Sequence, residues 1–221
     1  MTRLINFSEG EFYHLYNRGS DKRKIFLSSK DYERFVALLY LCNSNEPVHI
    51  SLQGKNLNEL LNVERDSELV DIGVYCIMPN HFHLLVKEKT EKGISRFMQK
   101  LTTAYTMYFN IKNDRNGNLF QGVFKATHVN TDEYLKYLFS YIHLNPIKII
   151  ESEWKEKGIM DIKKSKKFLE SYLYSSYLDY MGKNREMKKI LKIKSFPDYF
   201  DTKNSFEKTT EFWLNYKNEF K

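Results

Sequence analysis

Two histidines one residue apart, His81 and His83, are the first side chains in this sequence whose types and spacing could do chemistry. On a strand, residues two apart point to the same face, so the two imidazoles stand side by side while Phe82 points to the opposite layer. Two neutral imidazoles make a partial site for a divalent cation. Taken alone, such a pair is more often structural or a surface feature. Tyr141 and Asn145 form a second pair, four apart and so on one face if the segment is helical. A phenol is a usable nucleophile when its target is strongly polarised. An amide oxygen is a suitable hard ligand for Mg2+ or Mn2+. With 16 tyrosines in 221 residues, chemistry alone does not single out Tyr141.

The elements that must position these groups follow from periodicity and turn chemistry. Residues 12–18, FYHLYNR, alternate and are aromatic-rich, which predicts a strand. Gly19-Ser20-Asp21 ends it, and Lys22, Arg23 and Lys24 add a basic loop. Ser28 or Ser29 caps a helix that runs to about Cys42. Residues 43–69 read as an insertion, with a short strand at His49 to Leu52 and a helical turn or two at Leu57 to Val63. Val70 to Val86 predicts a hairpin broken at Pro79-Asn80, whose second arm carries His81 and His83. Apolar spacing from Ile94 to Ile111 predicts an amphipathic helix, and Phe120 to Val129 a strand. Thr131-Asp132 then caps a helix through Leu144. Asn145-Pro146 stops it, because proline disfavours helical geometry in the residue before it.

This order predicts an α+β fold, a ferredoxin-like sandwich with an antiparallel sheet and an added last helix against that sheet. Residues 1–150 would form this core, with 43–69 inserted, and 151–221 a basic, mainly helical C-terminal extension.

The net charge of +7 and pI of about 9.1 point to a polyanionic partner as readily as to a merely Lys-rich surface. Tyrosines interleaved with lysines from Tyr134 to Lys148 could stack on bases while cations hold phosphates, although most aromatics fill cores. Cys42 and Cys76 read as buried thiols. No apolar run approaches the roughly 20 residues of a membrane span, and the N-terminus lacks a signal-peptide core, so a cytoplasmic location without a membrane partner is expected.

MPNHFHLLVKE, Met78 to Glu88, resembles the histidine-hydrophobe-histidine motif of the HUH endonucleases, and more narrowly that of the single-tyrosine, IS200-like transposases. LFQGVFKATHVNTDEYLKYLFSYIHLNPIK, Leu119 to Lys148, is similar to a signature of the REP-associated tyrosine transposases. There a strand precedes a helix ending in Tyr-Ile-x-x-Asn-Pro. YHLYNRG (Tyr13 to Gly19) and IFLSSKDYERF (Ile25 to Phe35) resemble that family's first strand and helix. YLYSSYLDYMG (Tyr172 to Gly182) resembles a segment after its core. Departures are Val123 where arginine is common, His143 where an acidic residue is common, and a longer connection at 43–69.

The resemblance implies a transposase that acts as a metal-dependent single-strand DNA endonuclease and strand transferase. Tyr141 would be the nucleophile that forms a 5′-phosphotyrosine. His81, His83 and Asn145 would be ligands of Mg2+ or Mn2+, and Lys22, Arg23, Lys24 and Lys125 DNA contacts. Further basic contacts would come from Lys163, Lys164, Lys166 and Lys167. The implied substrate is single-stranded DNA with hairpin structure, and the implied state a monomer rather than a homodimer. Another HUH nickase (a replication initiator or relaxase) and a non-catalytic nucleic-acid-binding module are the competing functions. His14 reads as a satisfied core histidine that could lie near the metal, and His143 as structural.

Overall fold

A computed structural model describes residues 6–47, 56–200 and 202–215. The reading of His49 to Leu52 as a strand falls outside them. Strand β1, Phe12–Arg18, is followed by helix α1, Ser29–Leu41, and the short helix α2, Leu57–Leu60, within the insertion. Strands β2, Val70–Met78, and β3, His81–Glu88, form the hairpin. Helix α3, Gly93–Lys112, strand β4, Lys125–Val129, and helix α4, Asp132–Leu144, complete the core. The sheet is antiparallel in the order β2-β3-β1-β4, the ferredoxin-like arrangement that the element order predicts.

Alternation divides the sheet into two chemically distinct faces. One is apolar: Phe82 on β3 meets Phe35 of α1, ring centroids 4.9 Å apart, and Phe120, 5.9 Å away. Helices α1 and α3 are tied by a buried Asp31, which accepts a hydrogen bond from the Tyr108 hydroxyl (2.9 Å) and pairs with Lys112. Burial would raise the Asp31 pKa, but Lys112, the Leu27 N–H and Tyr108 together hold it below its ordinary value. The other face carries His14, Tyr16, His81 and His83, and α4 packs across it.

The hairpin turn is clamped from outside. The Pro79 carbonyl accepts from the N–H groups of Ile25 (2.9 Å) and Phe26 (3.1 Å), and Gly19 N–H donates to Asn80 O (2.9 Å). The loop after β1 is therefore fixed against the histidine end of β3. Helix α4 starts where Thr131 accepts the Tyr134 N–H (3.2 Å), with Asp132 and Glu133 in its first turn complementing the helix dipole. It ends at Asn145-Pro146, where the chain tightens into a 3₁₀ turn, Asn145–Ile149.

The strand expected from Phe120 begins only at Lys125. Gly122 takes a φ of 65°, outside extended geometry, so Phe120 makes an isolated bridge to Gly19 and regular pairing starts after the kink. Cys42 and Cys76 are free and buried, as expected.

Four further helices follow: α5, Trp154–Lys157, α6, Ile162–Ser171, α7, Tyr177–Tyr180, and α8, Lys203–Asn215. This part covers the exposed edge of β2. Ser175 bridges Cys76, the Ser176 N–H donates to Tyr75 O (3.0 Å), and Tyr75 N–H donates to Ser176 Oγ (3.1 Å). Farther along, Lys192 N–H donates to Ile72 O (2.9 Å). An edge strand covered in this way cannot template pairing with another chain. Among the described residues no helix is long and apolar enough to cross a membrane.

Candidate active site

On the polar face, register fixes the neighbours. Tyr16 of β1 pairs with His83 on one side and Lys125 on the other, and Arg18 pairs with His81. Cross-strand partners share a face, so Lys125, Tyr16 and His83 form one row across three strands. The two histidines of β3 lie with ring centroids 5.0 Å apart.

Each imidazole is held by its Nδ1. His81 Nδ1 lies 2.6 Å from Asn80 Oδ1, and when Nδ1 donates in that bond Nε2 keeps its lone pair. His83 Nδ1 lies 2.9 Å from His14 Nε2, and both rings are buried. When His83 donates to His14 in that bond, its Nε2 is likewise left with a lone pair. His14 is thus both things the sequence allowed: a satisfied buried histidine and an immediate neighbour of the pair.

Burial keeps all three rings neutral. It pulls His14 and His81 down to about 4 and His83 well below its ordinary value. Lys155 adds to this at each ring, Lys148 at His81 and His83, and Arg18 at His81, while the Asn145 side chain opposes it at His81. Three cations around neutral imidazoles make a site that favours an anion.

Helix α4 supplies the rest. The Tyr141 ring faces His83 edge-on with centroids 5.7 Å apart, and His14 at 6.4 Å. One turn on, Asn145 is 2% exposed, and its Nδ2 has no hydrogen-bond partner among the described residues. Lys155 of α5 places its Nζ 3.8 Å from the Tyr141 ring centroid. The structure therefore brings together all four residues expected to carry the chemistry: His81, His83, Tyr141 and Asn145. Lys22 and Lys24 are exposed, and Asn80 Nδ2 donates to Lys22 O (3.2 Å), which sets this loop beside His81. Arg23 is bonded to Ser20 O and pairs with Asp21. Lys125 is exposed at the end of its row. In α6, Lys166 is engaged by Glu211 at 2.8 Å.

Three contributors were not singled out from the sequence: Asn80, Arg18 and Lys155. Arg18 shares the strand face of Tyr16 and was readable by alternation. Lys155 follows Tyr141 by 14 residues with no periodic signal.

Among the described residues no group of three or more His, Cys, Asp and Glu side chains is placed to hold a metal ion. The donor set nevertheless fits a divalent cation that completes its shell from elsewhere. It has two neutral imidazoles, each hydrogen-bonded through Nδ1, and a buried carboxamide with an unpartnered atom.

Residues 13–145 match the family described as "Transposase IS200 like", and the chain belongs to that family of DNA transposases. A solved structure of a REP-associated tyrosine transposase bound to a REP hairpin is similar over 83% of this chain and 87% of its own, at 12% identity and a TM-score of 0.52. The two share a fold. The tRNA(His) guanylyltransferase of Saccharomyces cerevisiae aligns over 90% of this chain and 86% of its own at 12% identity, but its TM-score of 0.36 carries no structural argument. No curated protein matches the chain.

Proposed function

We propose that the chain is a metal-dependent single-strand DNA endonuclease and strand transferase, working through a 5′-phosphotyrosine on hairpin-ended DNA. The observation that carries this is the convergence of the Tyr141 ring on His83, at 5.7 Å, with Asn145 one turn beyond and beside His81. The Tyr141 oxygen attacks the scissile phosphorus, the bond to the 3′ oxygen breaks, and that oxygen leaves as a 3′-hydroxyl. Strand transfer is the reverse step with a different 3′-hydroxyl. The ester energy stays in the phosphotyrosine, so no nucleotide cofactor is needed.

A phosphodiester repels a phenolate, and a bound Mg2+ or Mn2+ would neutralise and orient its oxygens. His81 and His83 offer Nε2 for that ion, because Asn80 and His14 occupy the Nδ1 atoms. Asn145 offers its carboxamide from the helix that holds the nucleophile, so one rigid element sets both. Lys155, beside Tyr141, adds positive charge where the phosphate must sit. Lys22, Arg23, Lys24 and Lys125 contact DNA around the site, with 151–221 as a further DNA-contacting part. All these groups come from one chain, which supports a monomer. The similar solved structure holds a REP hairpin, which supports a folded single strand as substrate.

The test is incubation with single-stranded hairpin DNA and Mn2+, followed by a denaturing gel. A denaturant-resistant protein–DNA species is expected with the parent and none with Tyr141→Phe or with excess chelator. An adduct that survives Tyr141→Phe refutes the assignment.

A further inference from the structure

Arg18 ends β1 opposite His81 in register, and its charge is felt at that ring. Its side chain is exposed, and its Nε donates to the side-chain carbonyl of Gln121. Gln121 is in turn fixed through its backbone, whose N–H donates to Arg18 O at 2.8 Å. The residues before it are tied to the loop after β1, Ser20 N–H donating to Leu119 O (3.0 Å) and Ser20 Oγ to Phe120 O (3.1 Å). Just beyond, Gly122 turns the chain at a φ of 65°, and its carbonyl accepts from Asn17 Nδ2 (3.3 Å). The kink that delays β4 leaves Gln121 outside the regular ladder, where its amide meets Arg18. The type of partner matters. Arg185, Arg65 and Arg23 each pair with a carboxylate, that of Asp179, Glu68 and Asp21. Arg18 makes no ion pair among the described residues, and neither of its Nη atoms has a hydrogen-bond partner there. A glutamine carbonyl orients a guanidinium without cancelling its charge. What remains is a held arginine with both Nη groups unengaged, the fork that meets phosphate oxygens bidentately.

We infer that Arg18 is a phosphate fork for the bound strand, that it grips the phosphate beside the scissile one, and that Gln121 is the positioning residue that aims it. As a contact to DNA, the fork rests on the reading of single-stranded DNA as the substrate of this site. The row of Arg18 and His81 lies two residues, roughly 7 Å, along the strands from the row of Tyr16 and His83, which Tyr141 faces. Arg18 is therefore displaced from the attacked phosphorus and reaches a neighbour of that phosphate. If the pair only stapled the loop to β1, a carboxylate at position 121 would serve as well or better. If Arg18 holds a phosphate, a carboxylate there competes for the same fork.

Gln121→Glu separates these cases, since it keeps an acceptor for Nε and adds negative charge. Thermal unfolding should be unchanged or slightly raised. Affinity for hairpin DNA with a single-stranded arm is measured on the full chain in EDTA by fluorescence anisotropy. It should fall about tenfold, the scale of a hydrogen bond to a charged group. Arg18→Ala should lose as much, and should lower the slope of log affinity against log salt by about 0.7, the share of one phosphate contact. Gln121→Leu keeps the charge but not the aim, so it should weaken binding with the parent's slope. A neutral methylphosphonate is then walked through the arm, with the cleaved bond mapped separately in Mn2+. At one phosphate beside that bond, the substitution should weaken binding to the parent about tenfold and to Arg18→Ala not at all. Parent-like affinity in Gln121→Glu, a scan that Arg18→Ala leaves unchanged, or coupling at a phosphate elsewhere overturns the fork. Coupling at one phosphate with no covalent adduct in Mn2+ sinks the nuclease reading alone, whereas an adduct with no such coupling sinks the fork alone.

Discussion

Replacing His14 by leucine removes the side-chain hydrogen bond that holds the His83 ring among the described residues, and leaves the fold's apolar volume nearly unchanged. His14 and His83 are 6% and 7% exposed, and the bond between them is 2.9 Å, so water cannot readily substitute. With a cation on Nε2 of His83, its proton must sit on Nδ1, and in the variant that N–H is buried without an acceptor. Such a group costs about 1–3 kcal/mol. Losing the partner that orients a metal-binding histidine lowers affinity roughly 10–100-fold, which is about 1.4–2.7 kcal/mol. The two magnitudes agree because they describe one event. Without metal the ring can move its proton to Nε2, so the stability loss should sit at the low end, about 1 kcal/mol, or roughly 2–4 °C in Tm for a chain of this size. Mn2+ titration by calorimetry and thermal unfolding in EDTA measure the two quantities. His14→Gln, whose amide oxygen can accept from Nδ1, should recover most of the affinity. A His14→Leu protein that unfolds within a degree of the parent and binds Mn2+ within threefold of it would refute the reasoning.

Three other outcomes follow from the same coordinates. A Cβ added at Gly73 would lie 2.6 Å from Phe196 Cζ, so Gly73→Ala should cost about 1–3 kcal/mol in urea unfolding, and adding Phe196→Ala should relieve part of it. Arg185 pairs with the buried Asp179, so Arg185→Met should destabilise by about 3–5 kcal/mol by leaving a carboxylate uncompensated; a loss below 1 kcal/mol would contradict this. Burial pulls His143 down to about 3 from 6.5, so the unfolded chain takes up this proton first. Its contribution is complete above pH 6.5 and is lost as pH falls toward 3. Between pH 6.5 and 5 it should cost about 2 kcal/mol, read as a steeper pH dependence of the urea midpoint in the parent than in His143→Gln.

The elements that position the site were legible because their patterns are strong and local. Alternation over Phe12–Arg18 and capping at Thr131 with Pro146 as a stop gave β1 and α4 their observed limits. Gly122 misled, since its positive φ, which no neighbour in the sequence dictates, shortens β4. His14 could be placed on a face but not beside His83, because strand register is set by pairing across the sheet and not by β1 itself. In the insertion, the Asn56–Glu59 capping box starts only one helical turn, and Asn43 does the larger task by accepting from Leu69 and Val70 N–H at 3.0 Å each. The buried asparagine reads as loop in the sequence and acts as a splice.

The extension was the least legible part for a reason that bears on its role. Its segments are short, and what holds them is not periodicity but single anchors on β2 and α4: Ser176 against Tyr75 and His143, and Tyr172 donating to Ile77 O at 2.6 Å. His143 is the acceptor or donor to Ser176 Oγ at 2.8 Å, inside a cage of Phe139, Tyr177, Tyr180 and Phe206. That cage fixes the inner face of α4 two residues beyond Tyr141. The outer face of the same helix presents Tyr137 and Tyr141 to Trp213 and Lys155. The extension therefore grips α4 from both sides, and any loosening of the His143–Ser176 contact must be felt at the phenol. On this reasoning His143→Ala should slow adduct formation even though the side chain points away from the reacting atoms, and His81 and His83 should bind Mn2+ as before.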